Sequence, residues 1–128
     1  MPQPEFLSWD IVVAIHRGAL KRWGGIEGIR DRAVLESALG AAENVFCCGD
    51  GDRHQIAAAY AYHLAESQAF ADGNKRTAIA CASVFLIGNG CADRSDDEVL
   101  HDAMMAISAH RLDQRGFADV LRRQFPKL

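Results

Sequence analysis

Residues 68–90 read QAFADGNKRTAIACASVFLIGNG and join a polar turn to an apolar segment. The polar part, Asp72 to Arg76, places an Asp-Gly pair, which favours turns, directly before two cations. The part from Lys75 to Ile87 is apolar on nearly every side, which is typical of a helix at the buried centre of a bundle. We therefore predict a helix over residues 75–87, capped by Asn74 and preceded by a polar loop.

The segments on both sides of this helix also carry helical periodicity. Ser8 is suited to cap a first helix that glycines 24 and 25 end, and Asp31 to cap a short second helix. Residues 43–53 are predicted to form a loop and residues 54–70 a third helix. A capping box from Ser95 begins a fifth helix, and Asp113 caps a sixth. The prediction is an all-α, compact bundle of about six helices around a central buried helix, in a single domain over residues 1–128.

The composition of the chain argues against nucleic acid and membrane as partners. The net charge is −3, whereas a general nucleic-acid-binding protein carries a basic excess, so we expect no direct nucleic-acid partner. No apolar run is long enough to span a membrane, and the N-terminus lacks the pattern of a secretory leader. The four cysteines, at positions 47, 48, 81 and 91, match no zinc spacing and are interpreted as reduced thiols. These features favour a cytoplasmic protein without a membrane partner.

The polar turn has the chemistry of an anion site. A helix N-terminus offers unpaired backbone N–H groups, and Gly73 allows close approach of the backbone. Lys75 and Arg76 oppose the helix dipole, which suggests an anion between them, and Asp72 is suited to hold a divalent metal. On these residues alone, an ordinary Asp-Gly turn with solvated cations remains an alternative.

Three stretches together resemble the Fic/Doc superfamily, and within it the death-on-curing (Doc) branch. Residues 68–76, QAFADGNKR, match its signature loop at Phe70, Asp72, Asn74, Lys75 and Arg76. Residues 24–39, GGIEGIRDRAVLESAL, and residues 85–90, FLIGNG, resemble flanking segments of Doc-type proteins. The fold implied by the resemblance is the small all-helical Fic/Doc fold.

The resemblance implies a toxin of a toxin–antitoxin pair. Doc-type toxins transfer the γ-phosphate of ATP to a threonine of elongation factor Tu, which stops translation. By the same resemblance, Phe70 anchors the loop in the core, Asp72 coordinates Mg²⁺, and Gly73 and Asn74 shape the anion nest. Lys75 and Arg76 grip phosphates. The related AMP-transferring branch usually has glycine at position 75, so Lys75 favours phosphate transfer over the alternative of AMP transfer.

Position 68 departs from the family signature. The family's catalytic histidine belongs there, but this chain has Gln68, whose amide cannot accept a proton from a hydroxyl group. We expect this form to bind nucleotide and to be nearly inactive, since general-base catalysis contributes roughly 10²–10⁴-fold. Gln68 is either an engineered replacement of a toxic residue or a mark of a natural, non-catalytic nucleotide-binding protein.

Neither another base nor an internal inhibitor is evident. His63 lies on the predicted third helix and points away from position 68, and His54 is too far along that helix. His16, His101 and His110 are interpreted as surface or satisfied residues. Self-inhibiting Fic proteins carry a Ser/Thr-x₃-Glu-Gly/Asn pattern, which this sequence lacks. We therefore expect a separate antitoxin, whose disordered segment folds into a groove on the chain.

Overall fold

The computed structural model describes residues 2–128, which form six α-helices and no extended strand. The predicted all-α class is confirmed. In chain order the helices are α1 (Trp9–Trp23), α2 (Arg32–Cys47), α3 (Arg53–Ser67), α4 (Asn74–Gly88), α5 (Asp97–Ser108) and α6 (Gln114–Gln124). None of them is long and apolar enough to cross a lipid bilayer, within the part of the chain described.

Local capping chemistry determines where several helices begin. The Ser8 hydroxyl accepts a hydrogen bond from the Ile11 N–H, and the Asp31 and Asp113 carboxylates cap α2 and α6 in the same way. α1 ends at Trp23 and is followed by Gly24, which has a φ of 81°. These boundaries were predicted correctly because a cap and its helix are adjacent in sequence.

Several helix boundaries differ from the prediction, among them the end of α2 and the start of α5. α2 continues to Cys47, so residues 43–47 are not loop. The cause is packing over a long sequence distance: Phe46 is half-buried and its ring lies 6.1 Å from that of Phe6, edge to face. α5 begins after Asp96, whose carboxylate accepts hydrogen bonds from the N–H groups of Glu98 and Val99. The predicted capping box from Ser95 is wrong, because the Ser95 hydroxyl bonds to Asp93 instead.

The central helix of the bundle is α3 rather than the predicted helix at 75–87. α3 packs against α2, α4 and α6, and its alanine-rich surface is buried on more sides than that of any other helix. α4 is apolar all round but leaves Val84 and Ile87 43% and 48% exposed. The small side chains of α3 explain the difference, since they allow three helices to approach one axis closely.

Both ends of the described chain are held near the C-terminus of α4. The Asn89 side chain exchanges two hydrogen bonds with the backbone of Glu5, at 2.7 Å and 3.0 Å. The Leu128 N–H donates to the Gly90 carbonyl at 3.0 Å. The motif loop precedes the opposite end of α4, so the chain ends lie on the far side of the molecule from the loop.

The four cysteines are free thiols in two different environments. Cys81 and Cys91 are buried, and burial raises the pKa of the Cys81 thiol to about 12. Cys47 and Cys48 are exposed at the end of α2. The interpretation of all four as reduced thiols agrees with this arrangement.

Candidate functional site

The motif loop joins α3 to α4. α3 ends at Ser67, three residues before the predicted end at Phe70, because Gln68 adopts the left-handed conformation with φ 50° and ψ 45°. Non-glycine residues rarely adopt this conformation, which turns the chain sharply out of the helix. The Gln68 side chain is exposed at this turn.

Phe70 anchors the loop in the core, as predicted. Its side chain is 1% exposed and stacks on the His16 ring, with the centroids 3.8 Å apart and the planes 11° from parallel. The backbone of Phe70 also forms an isolated antiparallel bridge with Ile29. The loop is therefore fixed against both α1 and the segment between α1 and α2.

The segment at 24–31 pairs with the motif loop along its backbone. The Arg30 N–H donates to the Ala69 carbonyl at 2.7 Å, and the Ala71 N–H donates to the Gly28 carbonyl at 3.0 Å. Two of the three stretches that resemble the family are thus neighbours in space. Their pairing gives the loop a rigid wall on one side.

His16 belongs to the loop structure and was not predicted there. Its ring is 2% exposed, and Nε2 lies 2.8 Å from the Asp72 carbonyl oxygen. Because a carbonyl oxygen only accepts, Nε2 carries the proton and donates it to Asp72. His16 lies 56 residues before Asp72, and no pattern in the sequence indicates that α1 packs under the loop.

Asn74 braces the loop and does not cap α4. Its Oδ1 accepts from the Phe70 N–H at 3.0 Å, and its Nδ2 donates to the Phe70 carbonyl at 3.0 Å. The N-cap of α4 is Gly73, with φ 73°, and no side chain caps the helix. The prediction of Asn74 as the cap is wrong because its amide finds both partners within the preceding turn.

Asp72 is held at the rim of the loop. Its Oδ1 accepts from the Gly73 N–H at 2.9 Å and its Oδ2 from the Ile26 N–H at 3.2 Å. Each oxygen keeps a lone pair beyond these bonds. Residues 2–128 contain no cluster of three or more metal-ligating side chains. A single exposed carboxylate fits Mg²⁺, which proteins commonly hold through one or two carboxylates and the phosphates of a substrate.

The N-terminus of α4 is open. Every other helix has a side-chain cap, from Ser8, Asp31, Asp52, Asp96 or Asp113. In α4 the first internal bond runs from the Thr77 N–H to the Gly73 carbonyl, and within the described chain the N–H groups of residues 74–76 have no acceptor. Unpaired donors at the positive end of a helix dipole are suited to bind an anion.

The two cations of the motif differ in their surroundings. Both side chains are exposed, and the Arg76 guanidinium carbon lies 4.3 Å from the ring centroid of Trp23. Lys75 forms no ion pair with any residue in the range 2–128. Successive helical residues are about 100° apart, so the two side chains leave α4 in different directions.

Comparison with known proteins decides what this loop belongs to. The model of the Fic/DOC family matches residues 6–86, which is more than half of the chain. The chain belongs to the Fic/Doc family. The match includes α1, the segment at 24–31, the motif loop and most of α4.

A curated relative points to the Doc branch. This Fic/Doc chain is 28% identical over 120 residues to "Protein kinase doc" of Escherichia phage P1. The match covers 93% of this chain and 94% of the relative. The similarity therefore extends over nearly the full length of both proteins, including α5 and α6.

Three histidines of this Fic/Doc chain are held within the fold. His16 donates to Asp72, and the buried His54 is hydrogen-bonded to the Phe125 carbonyl at 2.7 Å. His63 is half-buried on α3 beside Val34, and burial lowers its pKa. His101 and His110 are exposed, and His101 lines the same groove as Arg76. Position 68 itself carries the neutral amide of Gln68.

Proposed function

We propose that this chain is a Doc-like toxin that transfers the γ-phosphate of ATP to a threonine of elongation factor Tu. The supporting observation is the uncapped N-terminus of α4 at the centre of the Fic/Doc motif loop. Its three unpaired N–H groups and the two following cations match the chemistry of a phosphate chain. ATP and elongation factor Tu are cytoplasmic, so the proposed site of action is the cytoplasm.

The loop residues have distinct roles in this proposal. Gly73 and the backbone of residues 74–76 bind phosphate oxygens, while Asn74 keeps the turn in shape through its two bonds to Phe70. Lys75 and Arg76 neutralise the phosphate charge, and the planar guanidinium of Arg76 is suited to a bidentate contact. Lys75 supports phosphate transfer rather than AMP transfer, because the AMP-transferring branch usually has glycine there.

Asp72 is the residue proposed to hold Mg²⁺. When bound, Mg²⁺ would neutralise charge on the phosphate oxygens. The bonds from the Gly73 and Ile26 N–H groups fix the carboxylate in place before any ligand arrives. A fixed carboxylate loses little conformational freedom on binding, which favours affinity.

Gln68 makes the chain as it stands a nucleotide-binding form with little transfer activity. It occupies the family position of the base that takes the proton from the threonine hydroxyl, and an amide cannot take that proton. We expect Gln68→His to raise the transfer rate about 10²–10⁴-fold, the usual contribution of a general base.

The test uses ATP labelled on either the γ- or the α-phosphate, with purified elongation factor Tu. Gln68→His is expected to transfer the γ-label, and Gln68→Ala serves as the matched variant without a base. Transfer of the α-label would instead identify an AMP-transferring enzyme. If folded Gln68→His binds Mg-ATP but transfers neither label, phosphotransfer to this target is wrong.

Gln68 also supports a second function, that of a non-catalytic nucleotide-binding protein. The Gln68 side chain is exposed at the sharp turn after α3. The loop therefore keeps its shape with a neutral amide at this position, as it would in a protein that only binds nucleotide. In that case Gln68→His binds Mg-ATP with unchanged affinity and transfers no label to any protein of a cell extract. Label transfer by the single variant Gln68→His therefore distinguishes the two functions.

The proposed partner is an antitoxin whose disordered segment folds into a groove on the toxin. The chain has no Ser/Thr-x₃-Glu-Gly/Asn pattern with which to inhibit itself. We therefore expect Gln68→His to stop bacterial growth when expressed alone, and growth to resume when the neighbouring gene is co-expressed. Normal growth with confirmed production of folded, transfer-active Gln68→His would contradict the need for a partner.

A further inference from the structure

Trp23, the last residue of α1, carries two arginine side chains on its indole. The guanidinium carbon of Arg76 lies 4.3 Å from the ring centroid, and that of Arg22 lies 4.8 Å from it. The indole itself is 55% exposed. We infer that Arg22 and Arg76, gathered on Trp23, form a two-guanidinium clamp for the phosphate chain of the nucleotide. This inference rests on the proposed function and adds Arg22 and Trp23, which lie outside the motif loop.

Stacking leaves the binding groups of both arginines available. A guanidinium is planar, and its contact with an aromatic ring uses the flat face, whereas its five N–H donors point outward in the plane. Those edges match the oxygens of a phosphate group in bidentate geometry. Trp23 is thus a positioning residue that orders two flexible side chains before a ligand arrives.

Within residues 2–128, the guanidinium groups of Arg22 and Arg76 form no ion pair and no hydrogen bond. The ion pairs of arginine in this range involve Arg17 and Arg122. Two cations on one ring repel each other, and the positive end of α4 adds to this repulsion at Arg76. An anion bound by both guanidiniums offsets the repulsion, so the arrangement favours a multiply charged ligand.

The surrounding groove limits where the anion lies. Arg22, Trp23 and Arg76 form one side of a groove of about 440 Å³ between α1, α4 and α5. The residues before and in the first turn of α5 add carboxylates to its lining, namely Asp93, Asp97 and Glu98. These carboxylates repel phosphate, so the ligand is confined to the Trp23 side, next to the open N-terminus of α4.

The test measures the affinity for Mg-ATP by calorimetry in the chain as it stands, because Gln68 prevents turnover. Arg22→Gln is expected to weaken binding about tenfold, the effect of losing one charge-assisted contact at an exposed site. Trp23→Leu is expected to weaken it about threefold through loss of the stacking. Arg123→Gln, an exposed arginine at the end of α6, is the charge-matched control and is expected to bind as the unmodified chain does.

A double-variant cycle separates positioning from simple charge. If Trp23 orders Arg22, the two losses are not additive: Trp23→Leu weakens binding less in the Arg22→Gln background than in the unmodified chain, and the loss that is left reflects its contact with Arg76. Arg22→Lys keeps the charge without the planar fork, and we expect it to bind at least threefold more weakly than arginine. Equal affinities of Arg22→Gln, Arg123→Gln and the unmodified chain would overturn the clamp while leaving the proposed function intact. An unmodified chain that takes up no Mg-ATP overturns both.

Discussion

Asn74 holds the motif loop through two hydrogen bonds to the Phe70 backbone, which no other side chain among residues 2–128 forms. Its amide closes a small ring with the backbone of Phe70, whose side chain is fixed against His16. The same amide group thus connects the buried anchor to the first residue of α4. Asn74 is therefore one of the side chains that fix the position of the open helix N-terminus, together with His16, which donates to the Asp72 carbonyl.

We predict that Asn74→Ala lowers the free energy of unfolding by about 2 kcal/mol, since two hydrogen bonds to partly buried backbone groups are lost. Asn44→Ala, in an exposed part of α2, is the matched control and is expected to change stability by no more than about 0.5 kcal/mol. Denaturation by urea measures both. Equal stabilities of the two variants would show that the loop does not need its brace.

The contact between His16 and the motif loop could not be predicted from the sequence. The motif loop was recognised from residues that are consecutive in the chain, such as Phe70 and Asp72. His16 reaches them from α1, and periodicity says only that α1 has an inner face, not which loop that face meets. The identity of a buried polar partner across such a distance depends on helix packing, which a single sequence does not encode in a readable pattern.

At the scale of the element, α4 combines a left-handed N-cap with an open first turn. Gly73 has φ 73°, and a Cβ built there would lie 3.3 Å from the Leu20 side chain. The conformation strains any residue with a side chain, and the contact adds to the strain. Gly18, in the middle of α1, has nothing within 4 Å of such a Cβ.

Substitution by alanine is therefore expected to change stability in opposite directions at Gly73 and Gly18. Gly73→Ala is expected to lower the free energy of unfolding by about 1 kcal/mol or more, the cost of a left-handed conformation. Gly18→Ala is expected to raise it by about 1 kcal/mol, because alanine favours a helix interior over glycine. Thermal melting of the two variants checks the signs, and a stabilised Gly73→Ala would contradict the assigned conformation.

Element boundaries were predictable where the deciding interaction is local. Ser8, Asp31 and Asp113 lie within three residues of the N–H groups they cap, so sequence position alone identifies them. Asn74 also has a high propensity to cap a helix, but its amide instead bonds to the N–H and carbonyl of Phe70 in the preceding turn. The end of α2 depends on Phe6, some forty residues away, and was therefore missed.

At the scale of the whole molecule, a buried histidine links stability to pH. His54, near the start of α3, is 4% exposed, and its Nε2 donates to the Phe125 carbonyl after α6. Burial lowers the pKa of His54 below 6.5, against the opposing effects of its hydrogen bond to the Phe125 carbonyl and of the Asp52 charge. His54 thus binds a proton more weakly in the folded state than in the unfolded chain, where its pKa is about 6.5. The contribution to stability is complete above that pH and is lost as the pH falls below it.

We predict that the free energy of unfolding falls more steeply between pH ~7.5 and pH ~5 in the unmodified chain than in His54→Gln. Glutamine keeps a donor for the Phe125 carbonyl but does not titrate. His63, whose pKa burial also lowers, is present in both proteins and cancels in the difference. Urea denaturation across this range measures the two slopes, and parallel slopes would show that His54 takes up its proton without cost in the folded state.

The attachment of both chain ends beside Asn89 and Gly90 has a practical meaning for handling the protein. α4 has 15 residues and spans about 22 Å, so a fluorophore or surface tether attached beside Glu5 or Leu128 is separated from the motif loop by the length of that helix.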